Sequence, residues 1–127
     1  MFRRSVTVLV LSGAVSAATV LASAGAAHAA NATVSVYYGG TLRGHITHID
    51  DGDDFNVWDD RIDDHGVLAE LREGSTLLDY GYAAGSGSFE QFHYDVKEGV
   101  KYTLRVCVQD GIFDDTPISC ATGTLYE

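Results

Sequence analysis

From Thr33 onward, apolar and polar side chains alternate in short runs that are separated by glycine- and aspartate-rich turns. The clearest run is residues 101–109, in which tyrosine, leucine and valine occupy every second position. A two-residue period is typical of β-strands with one buried face, and no segment shows a convincing 3.6-residue period of an amphipathic helix. Seven or eight such runs at a spacing of about 8–12 residues predict an all-β fold, an antiparallel β-sandwich that is either immunoglobulin-like or jelly-roll-like.

The first 29 residues have the pattern of a secretory signal peptide. Arg3 and Arg4 precede an apolar run over residues 6–21, and the run ends near the small-residue cleavage pattern Ala27-His28-Ala29. We expect cleavage after Ala29, with residues 30–127 forming a single β-sandwich domain that is secreted and not inserted in a membrane. Export would place both cysteines in an oxidising compartment.

The charge balance limits the partners that the chain can bind. The full sequence has 8 basic and 18 acidic residues, a formal net charge of -10. A strongly acidic surface repels phosphate backbones and anionic lipid, so nucleic acid and membrane surfaces are not expected partners.

The two cysteines, Cys107 and Cys120, are too few for a four-cysteine zinc site and can pair with each other after export. Successive side chains of a strand point to opposite faces, a rule that we call strand parity. By this rule, Cys107 faces away from the side of its strand that carries Leu104 and Val106. The sequence therefore predicts a disulfide across the last hairpin rather than one inside the core.

The segment Lys97-Glu98-Gly99-Val100-Lys101-Tyr102-Thr103-Leu104-Arg105-Val106 resembles the E–F corner and F strand of immunoglobulin-like and fibronectin type III domains. The resemblance implies that Tyr102 is a tyrosine-corner residue, whose hydroxyl group closes the corner.

The whole chain also resembles small exported actinobacterial β-sandwich proteins of unassigned function. That likeness rests on Asp51-Gly52-Asp53, His65-Gly66-Val67 and the C-terminal cysteine pair, and it implies a compartment and a fold but no activity.

An acidic block is the most unusual feature of the chain. Eight of the 15 residues from Asp50 to Asp64 are aspartates. Carboxylates are the ligands that Ca²⁺ prefers, although the spacing is not that of an EF-hand. One interpretation is a calcium site formed by Asp51, Asp53, Asp59 and Asp60. The alternative is a solvated acidic rim that favours solubility and blocks pairing of sheet edges.

The sequence favours a binding role over catalysis. It has no G-x-S-x-G motif. His45 and His48 lie three positions apart, which places them on opposite faces of a strand and argues against a shared metal ion. We therefore expect no catalytic residues and no cofactor other than calcium. A small hydrolase built on the acidic block is the least favoured alternative.

Four side chains are candidates for a binding surface. Strand parity predicts that Tyr38 is buried and that Tyr37 and Trp58 are exposed. The two exposed rings are candidates for a platform on which sugar rings stack. Ile112 and Phe113 lie in the segment between the two cysteines, where they either fold back onto the core or are displayed to a partner. The sequence thus predicts a secreted, non-catalytic protein that binds a carbohydrate or a protein surface. The alternative is a protease-inhibitor-like or toxin-like effector that acts through the Cys107–Cys120 loop.

Overall fold

The computed structural model describes residues 31–127, so the predicted signal peptide lies outside the described residues. Within them the chain forms eight β-strands and no helix, which confirms the predicted all-β fold. Accordingly, no helix of this part of the chain is long and apolar enough to cross a membrane. The strands are β1 (Ala32–Tyr38), β2 (Thr41–Ile49), β3 (Asp54–Asp59), β4 (Gly66–Glu73), β5 (Thr76–Ala84), β6 (Phe89–His93), β7 (Lys101–Gln109) and β8 (Ser119–Tyr126).

The strands form two four-stranded antiparallel sheets, which we call the first and the second sheet. The first sheet has the order β1-β2-β3-β6 and the second has the order β5-β4-β7-β8. The chain passes between the sheets three times, through residues 60–65, 85–88 and 94–100. Both ends of β3 therefore lie next to segments that connect the two sheets.

The core lies between the sheets and is built by the alternation seen in the sequence. Every second residue of β3 and of the first part of β7 is buried, as one-sided burial of a strand requires. Gly44 of β2 allows the sheets to approach closely, because a Cβ atom there would lie 2.4 Å from a methyl group of Val67 on the other sheet. Complete burial of each large apolar side chain contributes about 1.5–3 kcal/mol. The largest of them are Tyr102, Phe55, Ile46, Leu71, Leu104 and Leu125.

Two tyrosines show where local parity succeeds and where it fails. Tyr102 is buried, and its hydroxyl group accepts a hydrogen bond from the Lys97 backbone N–H at 2.9 Å, the contact that the tyrosine-corner resemblance implied. Tyr38 was expected in the core, but 51% of it is exposed. The register of β1 shifts between Val36 and Tyr37, and this β-bulge breaks the alternation before Tyr38 is reached.

Candidate functional site

The acidic block is divided between the two ends of β3. Asp51 and Asp53 lie in the turn before this strand, whereas Asp59 is its last residue and Asp60 follows it. At about 3.3 Å per residue, the two groups are roughly 20 Å apart along the strand. The structure therefore does not bring the four predicted calcium ligands together.

Asp53 connects the β2–β3 turn to the segment that follows β6. Its Oδ1 atom lies 3.0 Å from His48 Nε2, and its Oδ2 atom accepts a hydrogen bond from the Val96 N–H at 3.0 Å. Its backbone carbonyl accepts another from the Tyr94 N–H at 3.3 Å. Both carboxylate oxygens thus have a partner within the fold, which is the arrangement of a structural aspartate.

A different acidic cluster forms at this end of the sandwich, from Asp50, Asp53 and Glu127. One carboxylate oxygen of each lies within 4.8 Å of the others. Burial raises the pKa of Glu127, and the negative charges of Asp53 and Asp50 raise it further. The cluster has the donor chemistry for a hard cation, but it shares only Asp53 with the predicted ligand set.

At the other end of β3, Asp59 is buried and holds two loops. Its carboxylate accepts hydrogen bonds from the Arg61 N–H at 3.2 Å and from the Gly85 N–H at 3.0 Å. Burial raises the pKa of Asp59, and these two hydrogen bonds oppose the rise. The neighbouring Asp60 lies 2.5 Å from His45 Nδ1. The aspartates at this end therefore fix loop conformations.

The base of the β7–β8 loop, residues 110–118, is closed by the predicted disulfide. Cys107 and Cys120 are directly opposite each other on β7 and β8, with their Cα atoms 4.1 Å apart. Cys107 is completely buried, yet it lies outside the core cluster that contains Val106 and Val108, as parity predicted. The bridge thus joins two strands of the second sheet and fixes where the loop leaves them.

Hydrogen bonds hold the loop from within. The carboxylate of Asp114 accepts three, from the Thr116 N–H at 2.9 Å, the Thr116 hydroxyl at 2.8 Å and the Asp110 N–H at 2.9 Å. They lower the pKa of Asp114, the backbone bond from Asp110 most strongly. The Gln109 amide donates to the carbonyl of Gly111 at 2.7 Å, and the Tyr82 hydroxyl accepts from the Gly111 N–H at 2.8 Å. The loop backbone is therefore fixed at several points.

The tip of this loop is a tight turn that presents an aromatic ring to solvent. The Asp114 N–H donates to the Gly111 carbonyl at 3.4 Å, so Ile112 and Phe113 are the two central residues of the turn. Phe113 is 97% exposed and Ile112 is 40% exposed. A cavity of about 300 Å³ separates the loop from the second sheet and is lined by Leu68, Glu70 and Arg105, among others. Of the two interpretations left open by the sequence, the structure has the displayed loop.

The four predicted binding residues do not form one surface. Trp58 is half-buried on the outer face of the first sheet, and Tyr37 is exposed near the end of β1 in the same sheet. Ile112 and Phe113 lie over the outer face of the second sheet. Two aromatic neighbours of Trp58, namely His45 and Phe89, were not among the predicted residues. Phe89 shares the parity of Gln91 and His93 rather than that of Phe92, which is the sequence signal that it faces outward.

Comparison with known proteins adds a likeness of fold. No family model matches the chain, and no curated protein matches it. Among solved structures, the chain is similar to an endonuclease/exonuclease/phosphatase from Beutenbergia cavernae DSM 12333, with a TM-score of 0.54 and 22% sequence identity. The match covers 76% of this chain and 27% of that chain, so this chain spans about a quarter of its length. At this identity the likeness concerns the fold alone.

Proposed function

We propose that this chain is a secreted, non-catalytic binding protein that holds a protein partner through its β7–β8 loop. In this proposal the Phe113 ring enters an apolar pocket of the partner, and Ile112 packs beside it. The observation that carries the proposal is the 97% exposure of Phe113 on a loop whose backbone is held by a disulfide and several hydrogen bonds.

Exposure of such a side chain has a cost that a binding role would explain. Burial of a phenylalanine stabilises a fold by about 1.5–3 kcal/mol, and Phe113 contributes none of this within its own chain. Truncation of buried aromatic anchors causes some of the largest losses of affinity at protein interfaces. A side chain of this kind therefore becomes favourable when a partner covers it.

The fixed backbone of the loop supports the same proposal. A flexible loop loses conformational entropy when it binds, at about 0.5–1.5 kcal/mol for each immobilised side chain, with a further loss for the backbone. The bonds of Asp114, Gln109 and Tyr82 order the loop before a partner arrives. The turn presents one ring by itself rather than an extended strand, which favours a partner with a single deep pocket.

Secretion and the absence of catalysis are part of the proposal. The signal-peptide pattern and the disulfide support secretion, because disulfides persist in oxidising compartments. The activity named for the Beutenbergia protein is not carried over, since the match covers 27% of that chain at 22% identity. We expect the purified chain to hydrolyse neither DNA nor a phosphomonoester. N-terminal sequencing of the protein from culture medium would test export and the expected start at residue 30.

A photocrosslinking experiment would test the binding site. A photoreactive phenylalanine analogue replaces Phe113 in one preparation and Tyr126 in a control; Tyr126 is also exposed, at 62%, but lies on strand β8. Irradiation in the culture medium of the producing cells should give a crosslinked protein from position 113 and none from position 126. A panel of purified extracellular proteases tests the inhibitor-like version of the proposal in parallel.

Affinity measurements with the purified partner complete the test. Phe113→Ala should weaken binding by about tenfold or more, whereas Tyr126→Ala should leave it within about twofold. Equal affinities of wild type and Phe113→Ala for every crosslinked or inhibited protein would contradict the proposal. The complete absence of crosslinks from position 113 would contradict it as well.

A further inference from the structure

The outer face of the first sheet carries an aromatic row that runs across three of its strands. The register places His45 of β2 opposite Trp58 of β3, and Trp58 opposite Phe89 of β6. The His45 and Trp58 rings lie nearly parallel, with centroids 6.2 Å apart and planes 14° apart. The centroids of Trp58 and Phe89 are 4.6 Å apart, and Phe89 is 43% exposed. This row, which we call the Trp58 row, is an aromatic strip in which His45 and Trp58 are half-buried and Phe89 is exposed.

A row of uncharged polar side chains lies beside it, two residues farther along each strand. It consists of Thr33, Thr47, Asn56 and Gln91, which the register places side by side. The Thr33 and Thr47 hydroxyls are 3.0 Å apart, and the Gln91 amide donates to Asn56 Oδ1 at 2.8 Å. The amide pair leaves the Asn56 NH₂ group and the Gln91 carbonyl oxygen to other partners. Donors and acceptors thus lie about 7 Å from the aromatic strip.

The two rows differ in charge from the rest of the protein. Neither row contains a carboxylate or an ammonium group, although the chain has a net charge of -10. The aspartates next to the rows each lie beside a histidine, Asp60 with His45 at 2.5 Å and Asp54 with His93 at 3.5 Å. Two rows without a carboxylate on an acidic protein suit an uncharged ligand, because an anionic polymer would be repelled by the surrounding carboxylates.

We propose that the two rows form a binding site for a neutral glycan. The planes of Trp58 and Phe89 are 45° apart, so the apolar C–H faces of two successive pyranose rings would stack on them, one ring on each, and their hydroxyl groups would hydrogen-bond to Asn56 and Gln91. A neutral oligosaccharide is favoured over a peptide because the site combines flat rings with amide groups and offers no fixed charge. This site is independent of the Phe113 loop, which lies over the other sheet.

The chain contains a single tryptophan, so its fluorescence reports on the proposed site directly. The probes are neutral hexasaccharides of β-linked glucose, N-acetylglucosamine, mannose and xylose, each titrated into the mature protein while Trp58 emission is recorded. At least one should shift or quench the emission with a saturable dependence on concentration. A hexamer of galacturonic acid, which is anionic, should produce no saturable change.

Two substitutions test whether the sugar binds on the outer face of the first sheet. Phe89→Ala should weaken binding by about tenfold, and Asn56→Ala should weaken it by a smaller factor. Both side chains lie on the outer face, so both variants should keep the far-ultraviolet spectrum of the parent. Tyr126→Ala is the matched control, because this exposed ring lies on strand β8 of the second sheet, and this variant should bind the sugar as the parent does. No saturable response to any neutral hexasaccharide would overturn the proposal, as would unchanged affinity in both Phe89→Ala and Asn56→Ala.

Discussion

The outer faces of the two sheets differ in how they are occupied. The outer face of the second sheet contains an ionic group, in which Glu70 lies between Arg72 and Arg105, together with the disulfide and the overlying loop. The outer face of the first sheet contains the Trp58 row and uncharged amides and hydroxyls, and Phe89 and Gln91 are exposed there. In the two proposals above, the second face stabilises the fold and presents the loop, whereas the first face binds a ligand.

Removal of the disulfide should have the largest effect on stability. A bridge that closes a loop of this size, with 13 residues of sequence separation, constrains the unfolded chain and is worth about 3 kcal/mol. We expect the double variant Cys107→Ser, Cys120→Ser to lose about this much free energy of unfolding in urea titrations. Asn56→Ala on the first face serves as the comparison and should stay within about 0.5 kcal/mol of the parent. Equal losses in the two variants would remove the proposed distinction between the faces.

Removal of the Glu70 carboxylate should have the second-largest effect on stability. Its carboxylate is buried, with Arg72 Nη2 at 2.5 Å and Arg105 Nη1 at 2.9 Å. Removal of a buried partner leaves like charges together, and because both guanidinium groups are about one-third exposed, we expect a cost of about 2 kcal/mol for Glu70→Ala. Thermal unfolding would measure it. Asp54→Ala, which removes an exposed carboxylate from the first face, should change the midpoint little, and a larger effect there than at Glu70 would contradict the comparison.

The sequence predicted much of this fold, because strand identity and one-sided burial are encoded locally. The alternation in residues 101–109 predicted β7, and the same parity predicted the orientation of Cys107 and the opposite orientations of His45 and His48. The prediction for Tyr38 was wrong because a β-bulge is one inserted residue that leaves no clear mark in the pattern.

The composition of each surface could not be predicted in the same way. The Trp58 row depends on the pairing of β3 with β6, which lie 35 residues apart where Asn56 meets Gln91. The acidic block is one continuous feature in the sequence, yet a six-residue strand separates its two halves. Sheet register, rather than residue type, decides which side chains meet.

The contact between His65 and Asp110 of the β7–β8 loop should depend on pH. His65 Nδ1 lies 2.6 Å from Asp110 Oδ1, and this hydrogen bond raises the pKa of His65. A raised histidine pKa stabilises the fold fully below the unfolded value near 6.5, and the contribution is lost as pH rises through the folded value. An NMR titration of His65 should give a midpoint above 6.5. Asp110→Asn should return it toward the ordinary value, and an unchanged midpoint in this variant would argue against the link.

Addition of calcium should have the smallest effect on stability. A calcium site remains a prediction from the acidic block. Both carboxylate oxygens of Asp53 already accept hydrogen bonds, so an ion at the cluster with Asp50 and Glu127 would bind weakly. We expect a small rise in melting temperature with millimolar Ca²⁺, reversed by EGTA and lost in Asp50→Asn. A rise that persists in Asp50→Asn would place the ion elsewhere, and identical curves with Ca²⁺ and EGTA would contradict a calcium site.

The central structural claim is that residues 111–116 form an ordered loop that holds the Phe113 ring in solvent. Backbone ¹⁵N relaxation of the mature protein tests it most directly, since order parameters report motion on the picosecond-to-nanosecond timescale. We expect values near about 0.85 for the loop, equal to those of β7 and β8, with no nuclear Overhauser contacts from Phe113 to the core. Values below about 0.6, or contacts from the Phe113 ring to Leu68 or Pro117, would show a flexible or folded-back loop and contradict the claim.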